Sequence, residues 1–253
     1  MSSIGKNSEL VSLFKKIRCV KTDLEYSLLL ADLFRGSNKI IVLSFLNAYA
    51  INIAEKNKEF ERALRKSDFL LRDGVGASIL MQSIGVDSGN NMNGTDFIPK
   101  VIELATRQHV DIVLFGTAIE VVRKARERLE SSGTNVIEVE SGFKSFHRYL
   151  ELLEGSINRK SMVILGMGMP KQEELSLFLK ESLVSPHDVL IVNGGAILDF
   201  LGGNATRAPH LFQKMRLEWL FRFFSEPRRL FGRCIVGGLV FFKRLVSLKF
   251  NAR

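Results

Sequence analysis

Cysteine is scarce in this chain: Cys19 and Cys234 stand far apart. That excludes a disulfide framework and a cysteine-based metal finger, and fits two free thiols in a reducing compartment. The four histidines, His109, His147, His187 and His210, are scattered without metal-ligand spacing. Long apolar runs are also missing. The longest near the C-terminus, IVGGLVFF from Ile235 to Phe242, has eight residues, whereas a spanning helix needs roughly 20. The opening segment MSSIGKNSELVSLFKK has no apolar stretch of the kind a secretory signal carries. A cytoplasmic protein without a spanning segment is the expectation. G-x-S-x-G and the Gly-rich phosphate loop ending in Gly-Lys-Ser/Thr are absent, which disfavours a serine hydrolase and a P-loop NTPase. Asp-x-Asp, the usual carboxylate pair for a metal-bridged nucleotide sugar, is absent too. No metal site is therefore expected.

Charge is present but unevenly placed. From Leu201 to Arg253 there are 11 Lys or Arg against two acids, Glu218 and Glu226, which accounts for the whole net charge of +9. The same segment holds Trp219 and eight of the 19 Phe. The first 200 residues are neutral. Such a division suggests a folded body and an end that meets something anionic and partly apolar. A C-terminal helix pair capping the core, with Arg on its wet face, is the plainer reading of the same residues. Nucleic acid is the other candidate partner, but the tail is as apolar as it is basic, which favours a lipid surface over nucleic acid.

Hydrophobic content of 46% is ample for a core. Lys39–Phe45, Asp68–Leu71, Asp111–Phe115, Asn135–Val139, Ser161–Leu165 and Asp188–Val192 are short Ile/Val-rich runs without alternation, as expected of strands buried on both faces. Amphipathic stretches lie between them: Phe97–Gln108, Ala118–Ser131 and Lys171–Leu183. The alternation predicts an α/β fold, a doubly wound Rossmann-like and mostly parallel sheet over residues 1–202. A basic, aromatic-rich helical appendage over 203–253 would follow it.

In such sheets ligands bind beyond the C-terminal strand ends, and here small and polar residues gather there. Asn47 follows the first run, and Asp73 and Gly74 follow the second. Gly116, then Gly166 and Gly168, then Asn193, Gly194 and Gly195 follow three others. Asp73 suits a general base near a substrate hydroxyl, and equally a turn aspartate. Gly166-x-Gly168-x-Pro170 lacks the third glycine of a dinucleotide fingerprint, because Lys171 occupies it. It fits either a phosphate site at a helix start, with Pro170 at the first helical position, or a tight strand-to-helix turn. Asp199 suits a ribose or base contact, and equally a solvated acid at a helix end.

In their order and spacing, these segments resemble the WecG/TagA/CpsF family of bacterial glycosyltransferases. The carrying residues are Leu46-Asn47-Ala48, Arg72-Asp73-Gly74-Val75-Gly76, Asn93-Gly94-Thr95-Asp96, Gly166-x-Gly168-x-Pro170-Lys171-Gln172-Glu173 and Asn193-Gly194-Gly195. They continue with Arg207-Ala208-Pro209, Glu218-Trp219-x-x-Arg222 and Glu226-Pro227-x-Arg229. The resemblance implies an inverting, metal-independent transfer of a sugar from a UDP-sugar to a polyprenyl-diphosphate-linked acceptor at the inner face of the plasma membrane. It implies Asp73 as the catalytic base with Asn47 beside it, and Gln172 and Asp199 near the nucleotide. Gly74, Gly116, Gly166, Gly168, Lys171, Asn193, Gly194 and Gly195 complete the expected UDP-sugar site. Arg207, Arg222, Arg229 and Arg233 are expected on the lipid diphosphate, with Lys243, Arg244 and Lys249 governing association with an anionic membrane. Two positions depart from the family pattern. Phe45 stands where some members carry Thr, and Gly142-Phe143-Lys144 matches only part of an aromatic-rich loop. An N-acetylmannosamine-type donor is the first expectation, a uronic acid or another hexose the next, and a homo-oligomer is left open. The rival readings are a nucleotide-dependent oxidoreductase on the same sheet and a non-enzymatic membrane-surface module.

Overall fold

The computed structural model describes residues 10–36 and 39–209, then 212, 214–215, 218–225, 227, 231–232 and 237–251, with backbone alone for 222 and 247–251. Six strands form one sheet: β1 (Ile40–Leu46), β2 (Phe69–Arg72), β3 (Asp111–Gly116), β4 (Val136–Glu140), β5 (Ser161–Gly166) and β6 (Val189–Asn193). Every pairing is parallel, in the order β2-β1-β6-β5-β3-β4. All C-terminal strand ends therefore lie along one edge. The expected doubly wound sheet is present, with each strand within a residue of its predicted bounds.

Side-chain period two explains why the runs did not alternate. Ile112, Leu114, Ile164 and Val192 point to one face, where they pack with Ile98, Val101, Val122 and Ala125. Val113, Phe115, Val163, Leu165 and Ile191 point to the other, against Tyr149, Leu153, Leu175 and Leu179. Both faces are covered, so both parities are apolar.

The covering helices are α1 (Asp23–Leu33), α2 (Ala48–Ala54), α3 (Lys58–Lys66), α4 (Gly74–Ser83), α5 (Gly94–Arg107), α6 (Ile119–Glu130), α7 (Phe146–Ser156), α8 (Lys171–Ser182) and α9 (Ile197–Leu201). Side-chain caps start α1, α2, α3, α5 and α7: Thr22, Asn47, Asn57, Asn93 and Ser145 each accept a backbone N–H of the first turn. The Asn93 cap explains why α5 starts three residues before the apolar pattern predicted. No side-chain cap bond is made at Asp73, Ala118 or Pro170, which precede α4, α6 and α8. Pro170 is the cap residue of α8, one place earlier than expected.

Beyond Gly203 the chain runs irregularly to Pro209, and two further helices follow, α10 (Glu218–Ser225) and α11 (Gly237–Asn251). Phe241 and Leu245 of α11 pack on a third cluster that includes Leu46, Ile51, Leu70, Ala77 and Leu80. Arg244 turns the same way. Its guanidinium donates to Asn52 Oδ1 at 2.8 Å and Glu55 Oε2 at 2.5 Å, and only 10% of the side chain is exposed. This corrects the expectation that Arg244 faces a membrane, because a guanidinium so placed serves the α11–α2 contact. Leu239 and Phe242, by contrast, are 71% and 67% exposed on the opposite side, with Val246 beside them. Among the described residues no helix is long and apolar enough to cross a membrane.

Candidate active site

One half of the strand-end edge is built on β1 and β2. Asn47 caps α2, its Oδ1 accepting the Ala50 N–H at 2.9 Å. The cap fixes the amide, whose Nδ2 donates to Asp73 Oδ2 at 3.4 Å. Asp73 continues the ladder, its N–H donating to Leu46 O at 2.9 Å. Both residues are half-buried, at the start of helices that leave the edge. The turn behind them is held by Arg72, which ends an otherwise apolar strand and is itself buried. Its guanidinium donates to the carbonyls of Ser88 (2.8 Å), Gly74 (2.9 Å) and Gly89 (3.1 Å). Asn91 Oδ1 accepts the Gly74 N–H at 2.8 Å, and Gly74 has φ +80°, where glycine is the natural residue. Asp73 is thus placed by a rigid frame, with its carboxylate at the edge.

The other half is built on β3, β5 and β6. Gly116 pairs with Gly166 so closely that a Cβ at Gly116 would sit 2.5 Å from the Gly166 carbonyl carbon and oxygen. Thr117 follows with φ +43° and donates through Oγ1 to Asp199 Oδ1 at 2.9 Å. Lys171 Nζ donates to the carbonyl of Gly142 at 2.7 Å, tying the β4 end to α8. Phe143, the next residue after Gly142, is 78% exposed. Gln172 is buried, and its Oε1 accepts from the N–H of both Gly168 (3.1 Å) and Gly195 (3.0 Å). Asn193 is buried as well, donating through Nδ2 to Ser44 Oγ at 2.8 Å and Ser176 Oγ at 3.1 Å. Gly194 closes the β6 turn by donating to Leu165 O at 2.8 Å.

The two halves are joined at β6. Strands lie about 4.8 Å apart, so the β2 and β5 ends are separated by about 14 Å along the edge. A carboxylate stands at one end of this crevice. At the other are glycine turns and the start of α8, a 12-residue helix without a side-chain cap. That arrangement suits a ligand with a reacting group near Asp73 and anionic groups nearer α8.

The tail residues are placed unevenly. Arg207 forms ion pairs with Asp96, at the start of α5, and with Glu218 of α10 at 3.6 Å. Arg222 lies in α10; its side chain, and all of Arg229 and Arg233, lie outside the described residues. Lys243 is exposed; the Lys249 side chain is not described. Phe45 is buried against Phe97, ring centroids 6.5 Å apart, so it faces the core and not the crevice. A cavity of about 290 Å³ beside α2 is lined by Tyr49, Asn52, Lys56 and, across from them, Gly237 and Val240 of α11.

A family model described as "Glycosyl transferase WecG/TagA/CpsF family" matches residues 15–253. The chain belongs to this family. A relative from Staphylococcus aureus (strain MW2), named N-acetylglucosaminyldiphosphoundecaprenol N-acetyl-beta-D-mannosaminyltransferase, is 21% identical over 202 residues, 78% of this chain and 76% of its own. A protein of the same name from Bacillus spizizenii is 27% identical over 180 residues, 70% of this chain and 68% of its own. Glycosyl transfer is therefore the family's chemistry, and the oxidoreductase alternative falls away.

Three residues that matter to the site carried no role in the sequence reading. Arg72 could have been found as a charge closing an apolar strand, since such a charge needs several acceptors when buried. Asn91 and Thr117 gave no comparable signal; their roles depend on loop geometry.

Proposed function

We propose that the chain transfers an N-acetylmannosamine-type hexose from a UDP-sugar to a polyprenyl-diphosphate-linked acceptor, with inversion and without a metal. The acceptor hydroxyl loses its proton to Asp73 as its oxygen attacks the anomeric carbon, and the bond to the UDP oxygen breaks on the opposite face. Asn47 orients the carboxylate. The UDP lies toward β5 and β6, its diphosphate near the start of α8, and the appendage arginines Arg222, Arg229 and Arg233 offset the charge that develops on departure. The observation that carries the reading is Asp73, held by the Arg72 frame and the Asn47 amide at the crevice end opposite the glycine turns. The relatives' names supply the sugar and the lipid acceptor.

The appendage places the reaction at an anionic membrane on the cytoplasmic side. In support, α11 turns Phe241, Leu245 and Arg244 inward and shows Leu239, Phe242 and Lys243 outward. An apolar face with a flanking lysine suits a lipid interface. The test is a transfer assay with full-length protein, a panel of UDP-hexosamines and a short-chain polyprenyl-diphosphate-linked N-acetylglucosamine in mixed micelles. UDP release that requires both substrates, with a β-linked product from an α-linked donor, is expected. Retention of configuration, or UDP release unaffected by omitting the acceptor, would refute the proposal.

A further inference from the structure

Gln172 and Glu173 are both buried in the first turn of α8, beside the strand-end edge. One atom, Gln172 Oε1, receives the N–H groups of Gly168 and Gly195, which belong to the loops after β5 and after β6. Only the carbonyl end of the amide can do this; a flipped amide would set its own N–H groups against two donors. The orientation is fixed by Glu173, whose Oε1 accepts Gln172 Nε2 at 2.8 Å. We propose that Glu173 is a positioning residue, which through Gln172 latches the β5–α8 loop to the β6–α9 loop and so sets the width of the donor end of the crevice. This rests on the donor site proposed above.

The chemistry of Glu173 fits a latch that carries a proton. The side chain is fully buried, and burial pushes its carboxyl up to about 8. Among the described residues the one charge that acts on it is Glu174, on its own helix, which pushes the same way. Glu174 itself accepts Asn57 Nδ2, from the turn before α3, at 2.8 Å. No cation from α3, α7 or the strands beneath α8 offsets it. Glu173 Oε2 is a buried oxygen without a hydrogen-bond partner, as is Asn193 Oδ1 at the end of β6. A protonated Oε2 carries its own proton, whereas an ionised one would be a second buried acceptor without a donor. Ionisation would leave a buried charge offset only by the Gln172 amide and a backbone N–H, which burial outweighs, so the first turn of α8 would have to admit water and the latch would loosen.

The test measures donor KM and kcat from pH 6 to 9.5 for full-length wild type, Glu173→Gln and Glu173→Leu. Amide hydrogen exchange in peptides covering Gly168 and Gly195 is followed in parallel. Gln at 173 reproduces the neutral acid, one acceptor and one donor, and should keep the pH 7 KM while losing any alkaline rise. Wild-type KM should climb above pH 8, by up to about tenfold per unit for one ionisation. Glu173→Leu should raise KM about tenfold or more at every pH, with less effect on kcat, and should speed exchange in both peptides. An alkaline rise that persists unchanged in Glu173→Gln would overturn the proposal. So would wild-type exchange rates in Glu173→Leu. If no UDP-sugar is turned over, the donor reading fails on its own. The exchange comparison needs no substrate and still decides the latch. If Glu173→Leu does not fold, the pH comparison between wild type and Glu173→Gln decides it.

Discussion

Glu173→Gln should change how the stability of this protein responds to pH. The carboxyl has an ordinary value of 4.5 and is raised to about 8 in the folded chain by burial. Below 4.5 both states hold the proton and the group contributes its full stabilisation. Between 4.5 and 8 the unfolded chain releases the proton and the folded chain keeps it. Stability is then lost as pH rises, by roughly 1.4 kcal/mol per unit. From the lower bound to neutrality the loss is about 3 kcal/mol, a large share of a typical folding free energy. Glutamine has nothing to release, so its variant escapes this slope. The assay is urea unfolding of both proteins at pH 5.5, 6.5 and 7.5. Taking the difference between them cancels every other titrating group. The variant should gain on wild type by about 1 kcal/mol or more at each step. A difference that stays flat from pH 5.5 to 7.5 would show that Glu173 is already ionised, and the burial argument would fail.

Three further predictions test other parts of the architecture. Gly116→Ala forces a methyl to within 2.5 Å of the Gly166 backbone, which cannot yield without parting β3 from β5. Unfolding experiments should show a loss of about 2–4 kcal/mol, and a change under about 0.5 would contradict the close approach. On α11 the two sides should separate. Leu239→Ser with Phe242→Ser should weaken sedimentation with anionic vesicles by about tenfold or more, since each side chain is worth roughly 1.5–3 kcal/mol when buried. Arg244→Ala should leave vesicle binding intact but destabilise the fold by about 1–3 kcal/mol, because it removes the guanidinium's bonds to Asn52 and Glu55 across the α11–α2 contact.

Much of this was legible in the chain. Runs such as SMVIL and DVLIV read as strands because a sheet covered on both faces needs apolar residues at both parities. The pairing of Asn47 with Asp73 was legible as two polar residues, each just past a strand. What sequence could not supply was orientation. Asn193 looks like a crevice residue, yet it shares parity with Val189 and Ile191 and so faces Ser176 of α8. Arg244 looks like any basic tail residue, but its helical position puts it beside Phe241 and Leu245 on the packed side. Lys171 and Gln172 sit in a recognisable motif, while their bonds to Gly142, Gly168 and Gly195 exist only once three loops converge. The protonation of Glu173 depends on complete burial, which no local pattern encodes.

The central claim is that Asp73 removes the proton from the acceptor hydroxyl. Asp73→Asn keeps the shape of the side chain and removes its basicity. The decisive measurement is kcat for sugar transfer beside the Kd for UDP, on the same preparation of wild type and variant. General-base assistance is worth about 10²–10⁴-fold, so kcat should fall within that range while UDP affinity changes by less than about threefold. Turnover at the wild-type rate with UDP binding intact would contradict the assignment.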